Sequence, residues 1–96
     1  MGNIAFTWDI RKARSNLVKH GVSFEEAQTV FLDENARLID DPDHSEEEER
    51  FVLLGYSFQA RCLIVSHCYR GSDGVIRLIS ARRAKAPEEK EYWRLR

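Results

Sequence analysis

The sequence has no long apolar run. The longest stretches, such as Phe51–Leu54 and Cys62–Val65, fall far short of the roughly 20 residues a membrane helix needs. The opening Met1-Gly2-Asn3-Ile4 carries neither the basic nor the apolar region of an export signal. A cytoplasmic location, away from any membrane, is expected. Cysteine is scarce: Cys62 and Cys68 stand six apart in a run that reads as one strand. At about 3.3 Å per residue they are roughly 20 Å apart, beyond the reach of a disulfide. They lack the close spacing of metal ligands, and strand alternation turns His67 to the face opposite Cys68. Small buried thiols in a reducing compartment are the expectation. A phosphate-binding loop, a dinucleotide fingerprint, a nucleophile elbow and a helical pair of metal ligands are all missing. No cofactor and no metal is therefore expected. Repeats and low-complexity linkers are missing too, so residues 1–96 are expected to form one domain.

What is present is an ordinary globular composition, 43% hydrophobic and 32% charged, with a net charge of −1. The distribution of that charge is more informative than its sum. Residues 1–60 carry six Lys and Arg against twelve Asp and Glu; residues 61–96 carry nine against four. The two parts thus stand at −6 and +5. This asymmetry is either a solvated surface of complementary halves or a basic face that meets a polyanion.

Periodicity orders the elements. Ile4–Trp8 alternates as a first strand. Asp9 is placed as the N-cap of a helix over Ile10–His20, with Gly21 ending it. Ile10, Ala13 and Leu17 form its apolar stripe, with Val18 adjoining, and Lys12, Asn16 and Lys19 line another face. Ser23-Phe24-Glu25-Glu26 reads as a capping box opening a second helix to about Leu32, which buries Phe24, Ala27 and Phe31. A short strand over 36–41 leads into Asp40–Glu49, with seven acids in ten residues. Three strands follow, over 51–58, 60–69 and 75–81, the last two joined by the Gly71-Ser72-Asp73-Gly74 turn. Pro87, with Glu88 and Glu89 after it and Arg94 and Arg96 at the far end, marks a C-terminal helix. The expected fold is α+β: a strand and a helical hairpin, a largely antiparallel four-strand stretch, and a final helix.

Cations on otherwise apolar strands are the candidates for chemistry: His67, Arg70, Arg77 and Arg82, followed by Arg83 and Lys85. A cation flanked by Leu and Ile points to solvent or into a polar groove. A phosphodiester offers its charge to several donors at once, which would explain such a concentration. Taken singly, Arg77 also fits a solvated edge and His67 a hydrogen-bonded, partly buried ring. Glu88 and Tyr92 lie one helical turn apart and can face one site.

Phe6-Thr7-Trp8-Asp9, Lys12, Asn16-Leu17, the run Lys19-His20-Gly21-Val22-Ser23-Phe24-Glu25-Glu26-Ala27 and Val30-Phe31 resemble the N-terminal half of the BrnT ribonuclease toxins. Glu49-Arg50, His67-Cys68-Tyr69-Arg70-Gly71, the stretch Ile76 to Ala84, Glu88 and Tyr92 extend the resemblance over nearly the whole chain. Ile10 stands where that family often has proline, and Ala86-Pro87 where it often has basic residues. The resemblance implies a RelE-like fold, a metal-independent RNase activity on RNA substrate, and neutralisation by a BrnA-like ribbon-helix-helix antitoxin. Operator DNA would be met only through that antitoxin. Cleavage through the 2′-OH needs a base, cations for the charge growing on phosphorus, and an acid for the leaving oxygen. Arg82 is the first candidate for phosphate and transition-state contact, with Arg70, Arg77, Arg83 and Lys12 as further RNA contacts. His67 is the candidate acid or base. Glu88 is either the base or a helix-terminus charge, and Tyr92 either stacks on a base or packs on the sheet. Lys12 and His20 are substrate contacts on the hairpin, or else a solvated cation and a helix-end cap. The alternative function is a domain that grips RNA or protein without cleaving.

Overall fold

A computed structural model describes residues 4–39, 50–71 and 74–94. The acidic segment Asp40–Glu49, Ser72 and Asp73 of the expected turn, and Arg96 lie outside them. Helix α1 spans Ile10–His20, as its capping residues predict. The Asp9 carboxylate accepts the Arg11 and Lys12 amide protons at 2.8 and 3.1 Å. Gly21 ends the helix at φ 68°, a left-handed conformation that glycine adopts without Cβ strain. Helix α2, Phe24–Gln28, opens on Ser23, whose hydroxyl accepts the Glu26 amide proton at 3.0 Å. It is shorter than expected because the chain tightens into a 3-10 turn over Thr29–Leu32. Glu26 leaves the capping box half made. Its buried carboxylate accepts from Ser57 Oγ at 2.7 Å and forms an ion pair with Arg61.

Strands β1 (Phe6–Thr7), β2 (Arg37–Ile39), β3 (Phe51–Tyr56), β4 (Cys62–Arg70) and β5 (Val75–Arg83) form one sheet in the order β1-β5-β4-β3-β2. β2 to β5 pair antiparallel, as expected, while β1 adds in parallel to β5 and makes the sheet mixed. The expected first strand shrinks to two paired residues. One face carries the core shared with α1 and α2: Phe24, Ala27 and Val30 pack against Leu53, Leu63, Val65, Leu78 and Ala81. On the other face helix α3 (Ala86–Trp93) seats Tyr92 on Val52, Leu54, Cys62 and Ile64. Both cysteines are buried, and no disulfide joins them. Gly55 lies so close beneath the turn after α2 that a Cβ there would stand 2.9 Å from the Ala36 Cβ.

Two departures from strict periodicity shape the surface. Of the expected stripe, Ala13 packs against the core, but Ile10, Leu17 and the adjoining Val18 do not enter it; these three are 63%, 51% and 86% exposed. The buried residue of α1 is Asn16. β1 covers β5 only at Ile76 and Arg77, and farther along that free edge Asn16 takes the place of a strand. Its Nδ2 donates to the Ala81 carbonyl at 2.7 Å and to the Val22 carbonyl at 2.9 Å, and its Oδ1 accepts the Ala81 amide proton at 3.0 Å. The second departure is a bulge. Ser66 pairs with Ser80 but His67 pairs with Leu78, leaving Ile79 as an extra residue in β5.

His67 is fully buried on the helical face, ringed by Phe31, Phe51 and Tyr69. Its Nδ1 lies 3.3 Å from the Val65 carbonyl, and its Nε2 has no hydrogen-bond partner among the described residues. Burial holds the ring below the ordinary histidine range and therefore neutral.

Asn16→Leu leaves the Ala81 and Val22 groups unsatisfied and should cost about 3 kcal/mol in denaturant unfolding. Acidification tests His67. The unfolded chain takes up a proton from its unperturbed value of 6.5 downward while the native ring does not, so stability falls as pH drops below that value. The expected loss is about 1 kcal/mol by roughly pH 5.5. His67→Leu should abolish that slope in unfolding curves at the two pH values.

Candidate nucleic-acid interface

Along β5, alternation alone would put Arg77 and Arg82, five positions apart, on opposite faces. The extra Ile79 corrects the phase. Arg77 pairs with Cys68 and Arg82 with Ile64, so both lie on the face that carries α3, with Ser80 between them. Arg70 joins that face by the alternation of β4 and is exposed. Arg83 falls on the opposite face, beside Leu63, and its charge acts on Glu26.

Of the expected catalytic set, Arg82 and Glu88 come together, while Tyr92 is buried and His67 lies on the other face of the sheet. Arg82 is bound through both terminal nitrogens to Glu88, at 2.9 and 2.7 Å. Glu88 also accepts the Lys85 amide proton at 2.8 Å and so completes the N-terminal cap of α3. The Arg82 guanidinium, with help from that amide, pulls the Glu88 carboxyl down to about 2. A carboxylate so stabilised is a weak base at neutral pH. Tyr92 is buried, and its hydroxyl donates to Asp33 Oδ2 at 2.7 Å. The same oxygen accepts the Tyr56 amide proton at 2.9 Å. Tyr92 therefore packs against the sheet. His67, sealed on the far face, shares no surface with either residue.

A different cluster forms where α1 crosses the edge of β5. Lys12, Ser15 and Lys19 lie at i, i+3 and i+7 on one side of α1. With His20, Arg50 and Ser80 they line an open groove of about 330 Å³, floored by Asn16 and Ile79. Among the described residues, no carboxylate lines it. Lys12, Lys19 and His20 are exposed. Arg77 borders the cluster: the Asp9 carboxylate, lowered chiefly by the Lys12 and Arg11 amides, also feels the charges of Arg77 and Lys12. Lys12, Arg77 and Ser80 are thus brought together from opposite ends of the chain. Sequence reasoning missed Ser15, Lys19, Arg50 and Ser80 as site residues. The shared helical face of Lys12 and Lys19 was the signal available; Arg50 and Ser80 enter only through the folded sheet. Chemically the groove offers cations for a phosphate, hydroxyls for hydrogen bonds, and an imidazole able to give or take a proton.

A family model described as ribonuclease toxin, BrnT, of type II toxin–antitoxin system matches residues 8–88. The 1.1 Å crystal structure of the Brucella abortus ribonuclease toxin BrnT is similar in fold, with a TM-score of 0.66 at 21% sequence identity. The match covers 86% of this chain and 99% of that one. No curated protein sequence matches.

The clamp between Arg82 and Glu88 can be read directly. In Arg82→Ala the Glu88 carboxyl should titrate back toward 4.5 in side-chain NMR. The protein should lose about 1 kcal/mol, the scale of a partly exposed bidentate pair. The loss should be present above the unfolded value and vanish as pH falls through the native one. An unmoved Glu88 titration would show that Arg82 does not hold it.

Proposed function

The chain belongs to the BrnT family of ribonuclease toxins of type II toxin–antitoxin systems, and we propose that it is a metal-independent endoribonuclease that cleaves mRNA and thereby halts translation. The observation that carries the site assignment is the groove between α1 and β5, whose described lining holds three cations and a histidine. Single-stranded RNA would lie with one phosphate among Lys12, Lys19 and Arg50, Arg77 holding the next part of the backbone. The ribose 2′-oxygen then forms a bond to phosphorus as the bond to the 5′-oxygen breaks, leaving a 2′,3′-cyclic phosphate and a 5′-hydroxyl. His20 is the group we assign to proton transfer, and the three cations stabilise the charge on the five-coordinate phosphorus. Arg82 sits two residues beyond Ser80 on the same strand face, about 7 Å along, and adds its charge from the α3 end. Glu88, Tyr92 and His67 serve the scaffold in this reading. DNA is spared because it lacks the nucleophile.

The wider assignment belongs to the same proposal. The fold is of the RelE-like kind, the protein acts in the cytoplasm, and a BrnA-like ribbon-helix-helix antitoxin holds it inactive and makes the contacts to operator DNA. A non-catalytic RNA-binding domain is the competing reading. It is favoured by one observation, the structural saturation of Arg82, Glu88 and Tyr92.

Purified protein incubated with labelled RNA in EDTA separates the two. Cleavage with cyclic-phosphate ends supports the enzyme; intact RNA at high protein concentration, or cutting that needs added metal, removes it. Lys12→Ala/Lys19→Ala, at exposed positions, should fold normally and cleave about 100-fold more slowly, the scale of lost transition-state donors. The slope of log affinity against log salt should fall by about 0.7, one single-strand phosphate contact.

A further inference from the structure

Helix α1 is a ridge between two grooves. Roughly 140° around its axis from Lys12 and Lys19, Ile10, Ala13 and Leu17 face Trp8 and Phe24 across an open cleft of about 230 Å³. That volume is below the range of small-molecule and cofactor pockets but takes one or two apolar side chains. Ile10 and Leu17 remain 63% and 51% exposed, and the neighbouring Val18 86% exposed. Apolar residues at i and i+7 on a helix, left uncovered beside a preformed cleft, are the layout of a helix-docking surface. The charge around it has one sign on the helix. α1 carries Arg11, Lys12, Arg14 and Lys19 and no acid; Arg14 lines the cleft, and Glu25 is the one carboxylate among the described residues that line it.

We propose that this cleft anchors the antitoxin, through an acidic amphipathic helix that places apolar side chains between α1 and α2 and its carboxylates against Arg11 and Arg14. The proposal rests on the toxin–antitoxin reading above and assigns the surface that reading leaves open. The chemistry favours a protein occupant over RNA, because a phosphate gains nothing from Ile10 and Leu17 and meets Glu25. The anchor is separate from the RNA groove on the other flank of the same helix. Holding on and blocking the active site are therefore two contacts, and one can be removed without the other.

The test uses Ile10→Glu/Leu17→Glu, two good helix formers at exposed positions, and Arg11→Glu/Arg14→Glu, which keeps the apolar stripe. Each is co-expressed with the product of the adjacent reading frame, and each is assayed alone for RNA cleavage in EDTA. The first variant should cut RNA like the wild type, bind the antitoxin about 30-fold more weakly or worse, and escape inhibition. The second should lose about tenfold in affinity, and the wild-type complex should weaken with added salt. Unchanged binding and inhibition of the first variant would overturn the anchor. So would loss of RNA cleavage by a folded first variant, which would make the cleft an RNA surface. A wild-type dimer dissolved by the same variant would make it a contact between copies. Failure of the wild-type chain itself to bind the adjacent product would defeat the toxin–antitoxin reading instead, and the wild-type arm reports that separately.

Discussion

Everything on the functional side of this molecule hangs on the hydrogen bonds of one buried amide. A strand edge left unpaired inside a protein must find donors and acceptors elsewhere, because a buried peptide group without partners costs 1–3 kcal/mol. β1 is too short to cover β5 beyond Arg77. Asn16 supplies what a neighbouring strand would have given, one acceptor and one donor to Ala81, and its second amide proton ties down Val22 at the turn into α2. A side chain that mimics a peptide fixes α1 in translation and rotation at once. That rotation sets Lys12 and Lys19 toward the sheet edge and Ile10 and Leu17 toward α2, and so decides the character of both clefts.

The opposite end of the sheet shows the reverse use of polar groups. Arg82 with Glu88, and Tyr92 with Asp33, spend their hydrogen-bonding capacity on seating an eight-residue helix. Glu26 with Arg61 and Ser57 does the same for the hairpin after β3. These pairs sit in partly dry surroundings, where an ion pair needs good geometry to offset desolvation. They position elements. The cations that stay exposed along the groove, Lys12 and Lys19, remain available to a polyanion.

Local signals were well written in the sequence. Asp9, Gly21 and Ser23 placed the helix ends because capping is a contest between a few atoms within one turn. The strands of the antiparallel stretch followed from β-branched and aromatic runs. The acidic and basic asymmetry was likewise visible, as was the likeness to the BrnT toxins carried by Lys19-His20-Gly21-Val22-Ser23-Phe24.

Sequence alone therefore determined the identity and order of the elements, the capped helix ends at Asp9, Gly21 and Ser23, the α+β class and the family, all properties of neighbouring residues or of the linear motif. Which face each side chain serves was decided in three dimensions. The amphipathic stripe of α1 was legible, but Asn16 makes long-range bonds that outweigh apolar burial and turn Ile10, Leu17 and Val18 outward. Arg77 and Arg82 share a face only because Ile79 is inserted opposite the Ser66–His67 step. His67 looked like a catalyst beside Arg70, yet strand alternation put it under Phe31. A period of two or 3.6 assigns residues to faces within an element; the register and rotation of elements against one another come from contacts between residues as distant as Asn16 and Ala81. No local pattern encodes those contacts.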